Sequence, residues 1–136
     1  MTDVHTREQR SRNMAAIRAA NTKPELRVRK VLHSLGFRFR LHRKDLPGKP
    51  DIVLSKHRIA IFVHGCFWHY HACPYGRVKP ATRSEFWETK RKGTVGRDAK
   101  NKADLEMLGW RTVVIWECET RSSDLLRMHL RDKMLA

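Results

Sequence analysis

The stretch IAIFVHGCFWHYHACPYG, residues 59–76, gathers His64, His69 and His71, Cys66 and Cys73, and the bulky aromatics Phe67, Trp68 and Tyr70. Imidazole and thiolate ligate borderline metals, and imidazole is also a ready general base near neutral pH. Cys66, His71 and Cys73 fall within eight residues, and Cys118 ends a second apolar run, VVIWEC, that echoes IFVHGC. If the two runs are neighbouring parallel strands, both cysteines leave the sheet at one edge. Cys66, His71, Cys73 and Cys118 would then form a Cys₃His set, a closed tetrahedral structural zinc site whose ion would fix a loop with little apolar content. The spacing is not that of a standard finger, so buried free thiols remain the competing reading.

Upstream, Asp51 follows Pro50 at the head of DIVL. A hairpin of DIVL and RIAIFVH through residues 55–58 aligns Leu54 with Ile59 and Asp51 with Phe62. Alternation then puts Asp51, Phe62 and His64 on one face and Ile61 and Val63 on the other. A carboxylate at a strand start, with a polar side chain on the next strand, resembles a metal-dependent nuclease site. There, carboxylates and main-chain oxygens hold Mg²⁺, which polarises the phosphate and activates water. A turn-capping aspartate and a hydrogen-bonded strand-end histidine are the plainer alternatives. The predicted proximity of Asp51, His64 and His69 in a strongly basic chain favours the nuclease. Phe67 and Trp68 read either as core or as a wedge held outward between metal ligands, able to enter a base step.

The elements that would position these groups follow from patterning. TKPELRVRKVLHSLG has Thr22 as N-cap, Glu25 in a capping box and Gly36 as stop, which predicts a helix. FRFRLH (37–42), DIVL (51–54), RIAIFVH (58–64) and WRTVVIWEC (110–118) read as strands. Residues 84–109 carry a helical pattern weakened by Gly93 and Gly96, and 122–134 a closing helix. Strand, long helix, strand is a βαβ unit and predicts parallel flanking strands. The fold class expected is α/β, a mixed central sheet flanked by helices. Residues 1–22 read as a basic arm with a short helix near 7–19, and 23–136 as a single domain.

The 136 residues are 40% apolar, enough for a core, and 29 Lys plus Arg against 14 Asp plus Glu leave a formal charge of +15. Such a surface solubilises, or binds a polyanion by releasing its counterions. No stretch reaches the length of a spanning helix and none resembles a signal peptide, so nucleic acid is preferred to membrane. The odd count of three cysteines suits a reducing cytoplasm better than a disulfide framework.

SRNM, KPELRVRKVL, LPGKPDIVL, IAIFVHGCFWHYHAC, PATRSEFWETK and LGWRTVVIWEC together closely resemble the very-short-patch repair (Vsr) mismatch endonucleases. The resemblance implies a restriction-endonuclease-like fold in which the PD…ExK motif keeps PD, with Phe62 and His64 where Glu and Lys would stand. It implies a Mg²⁺-dependent nick on the 5′ side of the thymine in a T·G mismatch left by 5-methylcytosine deamination. By the same resemblance Asp51 binds Mg²⁺ together with the main-chain carbonyl of Val63, where relatives often carry Thr. His64 and His69 match catalytic histidines, and Glu25 a supporting carboxylate. Cys66, His71, Cys73 and Cys118 match zinc ligands, Phe67 and Trp68 an intercalating pair, and Met14 a residue brought to the opposite groove. Trp87 would support the wedge and Lys90 would face DNA. Thr94, where a relative can carry Asn, bears on flanking-sequence preference. The implied partners are mismatched duplex DNA and a MutL-like repair factor. The implied setting is a bacterial or phage-type cytoplasm at the nucleoid, and one compact domain meeting an asymmetric mismatch suggests a monomer. A related nuclease of restriction-like or broader mismatch specificity, and a non-catalytic DNA-binding module, are the alternatives.

Overall fold

The computed structural model describes residues 22–67, 69, 71–74, 76 and 83–135. The arm expected over 1–22, Met14 and Trp68 thus lie outside the described residues, apart from Thr22. In chain order the elements are α1 (Lys23–Ser34), β1 (Arg40–Leu41), β2 (Ile52–Leu54), β3 (Ile59–His64), α2 (Ser84–Met107), β4 (Arg111–Trp116) and α3 (Ser123–Leu135). The strands form one mixed sheet in the order β1-β2-β3-β4. β1 and β2, and β2 and β3, pair antiparallel, whereas β3 and β4 pair parallel, as the βαβ pattern requires. Leu54 stands opposite Ile59, the register expected for the hairpin, and His64 stands opposite Trp116.

Strand alternation divides the core in two. Ile52, Leu54, Ile59, Ile61, Val113 and Ile115 pack with Val28, Val31 and Leu32 of α1 and Leu126 and Leu130 of α3. On the opposite face Val53 and Ala60 meet Leu46 and Leu105, with Phe62 and Trp110 against them. Each fully buried Leu or Ile contributes about 1.5–3 kcal/mol relative to exposure, so the first cluster dominates stability. His64 continues the Ala60–Phe62 row and therefore leaves the sheet on the α2 side.

Two expectations are corrected. The run 37–42 is strand only at Arg40–Leu41, because Phe37 and Phe39 pack against the larger cluster instead of continuing the ladder. The strand expected over 110–118 ends at Trp116 and gives way to a 3₁₀ turn, Glu117–Thr120. In that turn Trp116 N donates to Glu119 Oε1 at 2.9 Å, and Lys133 Nζ holds the same carboxylate at 2.7 Å. Cys118 thereby sits just past the ladder. The helix expected over 84–109 forms as α2, continuous through Gly93 and Gly96. A Cβ at Gly96 would meet nothing within 4 Å. Gly96→Ala is therefore expected to stabilise the fold by about 0.5–1 kcal/mol, read as a higher midpoint in urea with unchanged m-value.

Candidate active site and metal centre

α1 starts as its sequence dictates: Thr22 Oγ1 accepts from Glu25 N at 3.4 Å. The Glu25 carboxylate is 2% exposed and bonds to Arg29 and to His42 Nε2, 2.9 Å from Oε1. It thus lies beside Asp51, the residue just before β2. Asp51 Oδ2 accepts the Val63 N–H at 2.8 Å. Burial, opposed by that N–H and reinforced by the charge of Glu25, pushes Asp51 up to about 6. Glu25, His42 and Asp51 each turn one ligand atom to within 4.8 Å of the others. Two carboxylates and an imidazole so close are a set that can hold a divalent ion.

Beyond Val63, the rings of His64 and His69 stack with centroids 3.7 Å apart and planes 3° apart. His69 Nδ1 lies 2.6 Å from Asp98 Oδ2, and His64 Nε2 lies 4.0 Å from Asp98 Oδ1. A carboxylate on Nδ1 keeps the proton there and leaves Nε2 of His69 as the basic nitrogen. Burial, with the neighbouring His69 charge, lowers His64 to about 4. His64 is therefore neutral at pH 7, which removes like-charge repulsion across the stack. These residues share one groove of about 800 Å³ with Glu25, Asp51, Phe62 and Val63, and Lys23, Lys49, Lys90 and Arg97 line its walls. Gly48 lets the turn before β2 close on α2: its φ is +76°, and a Cβ there would lie 2.9 Å from the Asn101 side chain.

The second set is compact. One donor atom each from Cys66, His71, Cys73 and Cys118 lies within 4.8 Å of the others. The parallel β3–β4 pairing delivers Cys66 and Cys118 to one edge, as the echo of the two apolar runs implied. Main-chain N–H groups support the sulfurs, Cys118 N to Cys66 Sγ and Gly76 N to Cys73 Sγ, both at 3.4 Å. The His71 ring stacks on Trp116 at 4.0 Å with its Nδ1 3.6 Å from Cys118 Sγ. Gly76 closes the turn where any Cβ would overlap the His71 carbonyl oxygen. Burial pushes the Cys66 thiol up to about 12 and raises Cys118 as well. Thiolates in such a place need a cation between them. The donor set fits a closed, four-ligand metal centre.

Phe67 follows Cys66 in the loop. Its ring is 6.0 Å from that of Trp87 in the first turn of α2, and the guanidinium of Arg91 lies 4.4 Å from its centroid. Arg91 is 4% exposed; its Nε donates to the Phe67 carbonyl at 2.6 Å and its Nη2 to the Gly76 carbonyl. One buried cation thus ties both ends of the loop to α2. Arg91→Met keeps the volume and removes these donors. It is expected to destabilise the fold by about 1–3 kcal/mol, read as a lower midpoint in urea.

With this geometry established, the comparisons decide the family. Residues 2–75 match the family model described as DNA mismatch endonuclease Vsr. The chain belongs to the Vsr DNA mismatch endonuclease family. The Type II nicking enzyme V.XorIIP of Xanthomonas oryzae pv. oryzae is 47% identical over 132 residues, covering 97% of this chain and 96% of the relative. The DNA mismatch endonuclease Vsr of Escherichia coli is 44% identical over 126 residues, 93% of this chain and 80% of the relative. The catalytic domain of homing endonuclease I-Bth0305I superposes with a TM-score of 0.57 at 20% identity, covering 85% of this chain and 96% of that one, a likeness of fold. This Vsr-family chain is a DNA endonuclease of mismatch repair, and DNA is its partner. Among the described residues no helix is long and apolar enough to cross a membrane.

Asp51, Val63, His64, His69 and Glu25 are brought to one groove, Lys90 lies on its wall, and Trp87 lies beside Phe67. Three participants escaped the sequence reading. Asp98 had a signal, a lone carboxylate amid the cations of KRKGTVGRDAK; His42 ended an alternating run; Arg91 had none.

Proposed function

We propose that this endonuclease nicks duplex DNA on the 5′ side of the thymine in a T·G mismatch, the lesion left when 5-methylcytosine deaminates. The carrying observation is that Asp51 and the Asp98–His69 pair open on one groove with basic walls. Asp51 and the Val63 carbonyl would hold Mg²⁺: a residue that pairs with one neighbour sends N–H and C=O to the same side, and the Val63 N–H already meets Asp51. Bound there, Mg²⁺ would supply Lewis-acid polarisation of the phosphate and charge for the leaving oxygen.

The chain's own residues do the rest. Lys49, Lys90 and Arg97 draw the phosphate backbone into the groove. His69 Nε2 takes a proton from the attacking water, and Asp98 steadies the imidazolium that results. Neutral His64 stacks against that ring without adding a charge. Zn²⁺ in the Cys66–His71–Cys73–Cys118 set would be structural, since four protein donors leave no open position. Phe67, with Trp68, would enter the mismatched step, where opening costs less than in matched duplex.

Incubating end-labelled T·G, matched and single-stranded substrates with and without Mg²⁺ tests this reading. One nick 5′ of the thymine, in the T·G duplex and with the ion, is expected. Equal cutting of matched duplex would overturn the mismatch reading, and binding without any cutting would favour a non-catalytic module.

A further inference from the structure

Resting on the reading of Asp51 as an ion-holding carboxylate, we propose that His42 is a further protein ligand of that ion, through Nε2. The resulting mixed nitrogen–oxygen set takes a first-row transition ion of the Mn²⁺ class in preference to Mg²⁺. The donor atoms of Glu25, His42 and Asp51 lie within 4.8 Å of one another. His42 Nε2 is 2.9 and 3.0 Å from the two Glu25 oxygens. The main chains are tied as well, for His42 N donates to the Asp51 carbonyl at 3.0 Å. His42 also holds a φ of +48°, a left-handed turn conformation that histidine adopts more readily than most side chains. That turn ends β1 and directs the imidazole back over Glu25.

The side chain of His42 is 29% exposed while that of Glu25 is 2% exposed, so the imidazole is the rim of the set and the carboxylate its floor. Arg29 contacts Glu25 Oε2 and lies 3.4 Å from His42 Nε2. It offsets one negative charge, so the remaining attraction for a cation depends more heavily on Asp51 and on a neutral nitrogen donor. Mg²⁺ prefers oxygen donors and retained water, whereas imidazole adds affinity for transition ions and little for Mg²⁺. Mn²⁺ is the weakest of the first-row series and leaves a zinc-filled cysteine set undisturbed.

The test uses the full zinc-loaded chain without DNA. Free Mn²⁺ is measured by electron paramagnetic resonance, and Mg²⁺ affinity by displacement of Mn²⁺. His42→Gln is expected to weaken Mn²⁺ binding about tenfold and to leave Mg²⁺ binding within about threefold. His42→Asp, an all-oxygen set, should move the ratio further toward Mg²⁺; if His42→Gln does not fold, this variant decides. An unchanged Mn²⁺/Mg²⁺ ratio in the folded variants overturns the role of His42. Asp51→Asn, run beside them, should abolish binding of both ions. Ion binding indifferent to Asp51→Asn overturns the Asp51 reading itself, and with it this proposal. An Asp51-dependent site blind to His42 overturns the proposal alone.

Discussion

Asp51→Asn should abolish nicking while making the ion-free protein more stable. In the fold Asp51 titrates at about 6, against an ordinary carboxylate value of 3.8, chiefly because it is buried. A folded-state value raised in this way means the proton is bound more tightly in the native state. Stability is undiminished below the unfolded value and falls as pH rises through the folded one. Above pH 6 the ionised carboxylate costs up to about 3 kcal/mol, two units at about 1.4 kcal/mol each. Asparagine removes that cost, and its side-chain oxygen can still accept the Val63 N–H. Urea unfolding at pH 7.5 in chelator is expected to show Asp51→Asn more stable by about 1–3 kcal/mol, a gain that disappears near pH 4. Added Mg²⁺ should stabilise the wild type and leave the variant unmoved. A destabilised variant would mean Asp51 serves the fold as a cap rather than the site.

The same titration predicts a masked acid sensitivity. His64 is held at about 4, against an ordinary 6.5, mainly by burial, so its neutral form is part of the fold. Its stability is present above pH 6.5 and is lost as pH falls toward 4, while the Asp51 contribution rises over nearly the same window. The two slopes oppose each other. Asp51→Asn should therefore steepen the loss of stability between pH 6.5 and 4.

The second large effect falls on Asp98. Asparagine there can still bond to His69 Nδ1, but it no longer fixes the proton on that atom or balances a charged ring. Single-turnover nicking should fall about 10²–10⁴-fold, the range for losing an oriented general base. DNA affinity should stay within about threefold of wild type, and so should ion affinity at the Glu25–His42–Asp51 and Cys66–His71–Cys73–Cys118 sets, to which Asp98 contributes no donor. A fall of less than tenfold would remove the Asp98–His69 pair from proton transfer.

Legibility of the site in the sequence followed the reach of local rules. The hairpin register, the parallel return of β4 and the meeting of Cys66 with Cys118 all follow from alternation and connection handedness, which are properties of short segments. Glu25 had two readings, a capping box and a supporting site carboxylate. Thr22 caps the Glu25 N–H, while the carboxylate turns toward His42 and Asp51. Asp98, Arg91 and His42 were missed because their partners are 29, 24 and 17 residues away in the chain. No periodicity encodes contacts of that range. The strand ends were misjudged at Phe37, Phe39 and Glu117 for a related reason. Packing on the core and a carboxylate held by Lys133 overrode local strand propensity there.

We propose that one metal-braced loop couples opening of the mismatch to the cut. This coupling is tested most directly by single-turnover nicking with Phe67→Ala and Trp68→Ala combined. The substrates are a T·G duplex and one in which the flanking step is already unpaired. Loss of the wedge should slow nicking of the T·G duplex by about 100-fold, matching an unstacking cost of a few kcal/mol, and the pre-opened duplex should be cut at nearly the wild-type rate. Equal slowing on both substrates would contradict the coupling and make the aromatics part of the fold or of the cutting site.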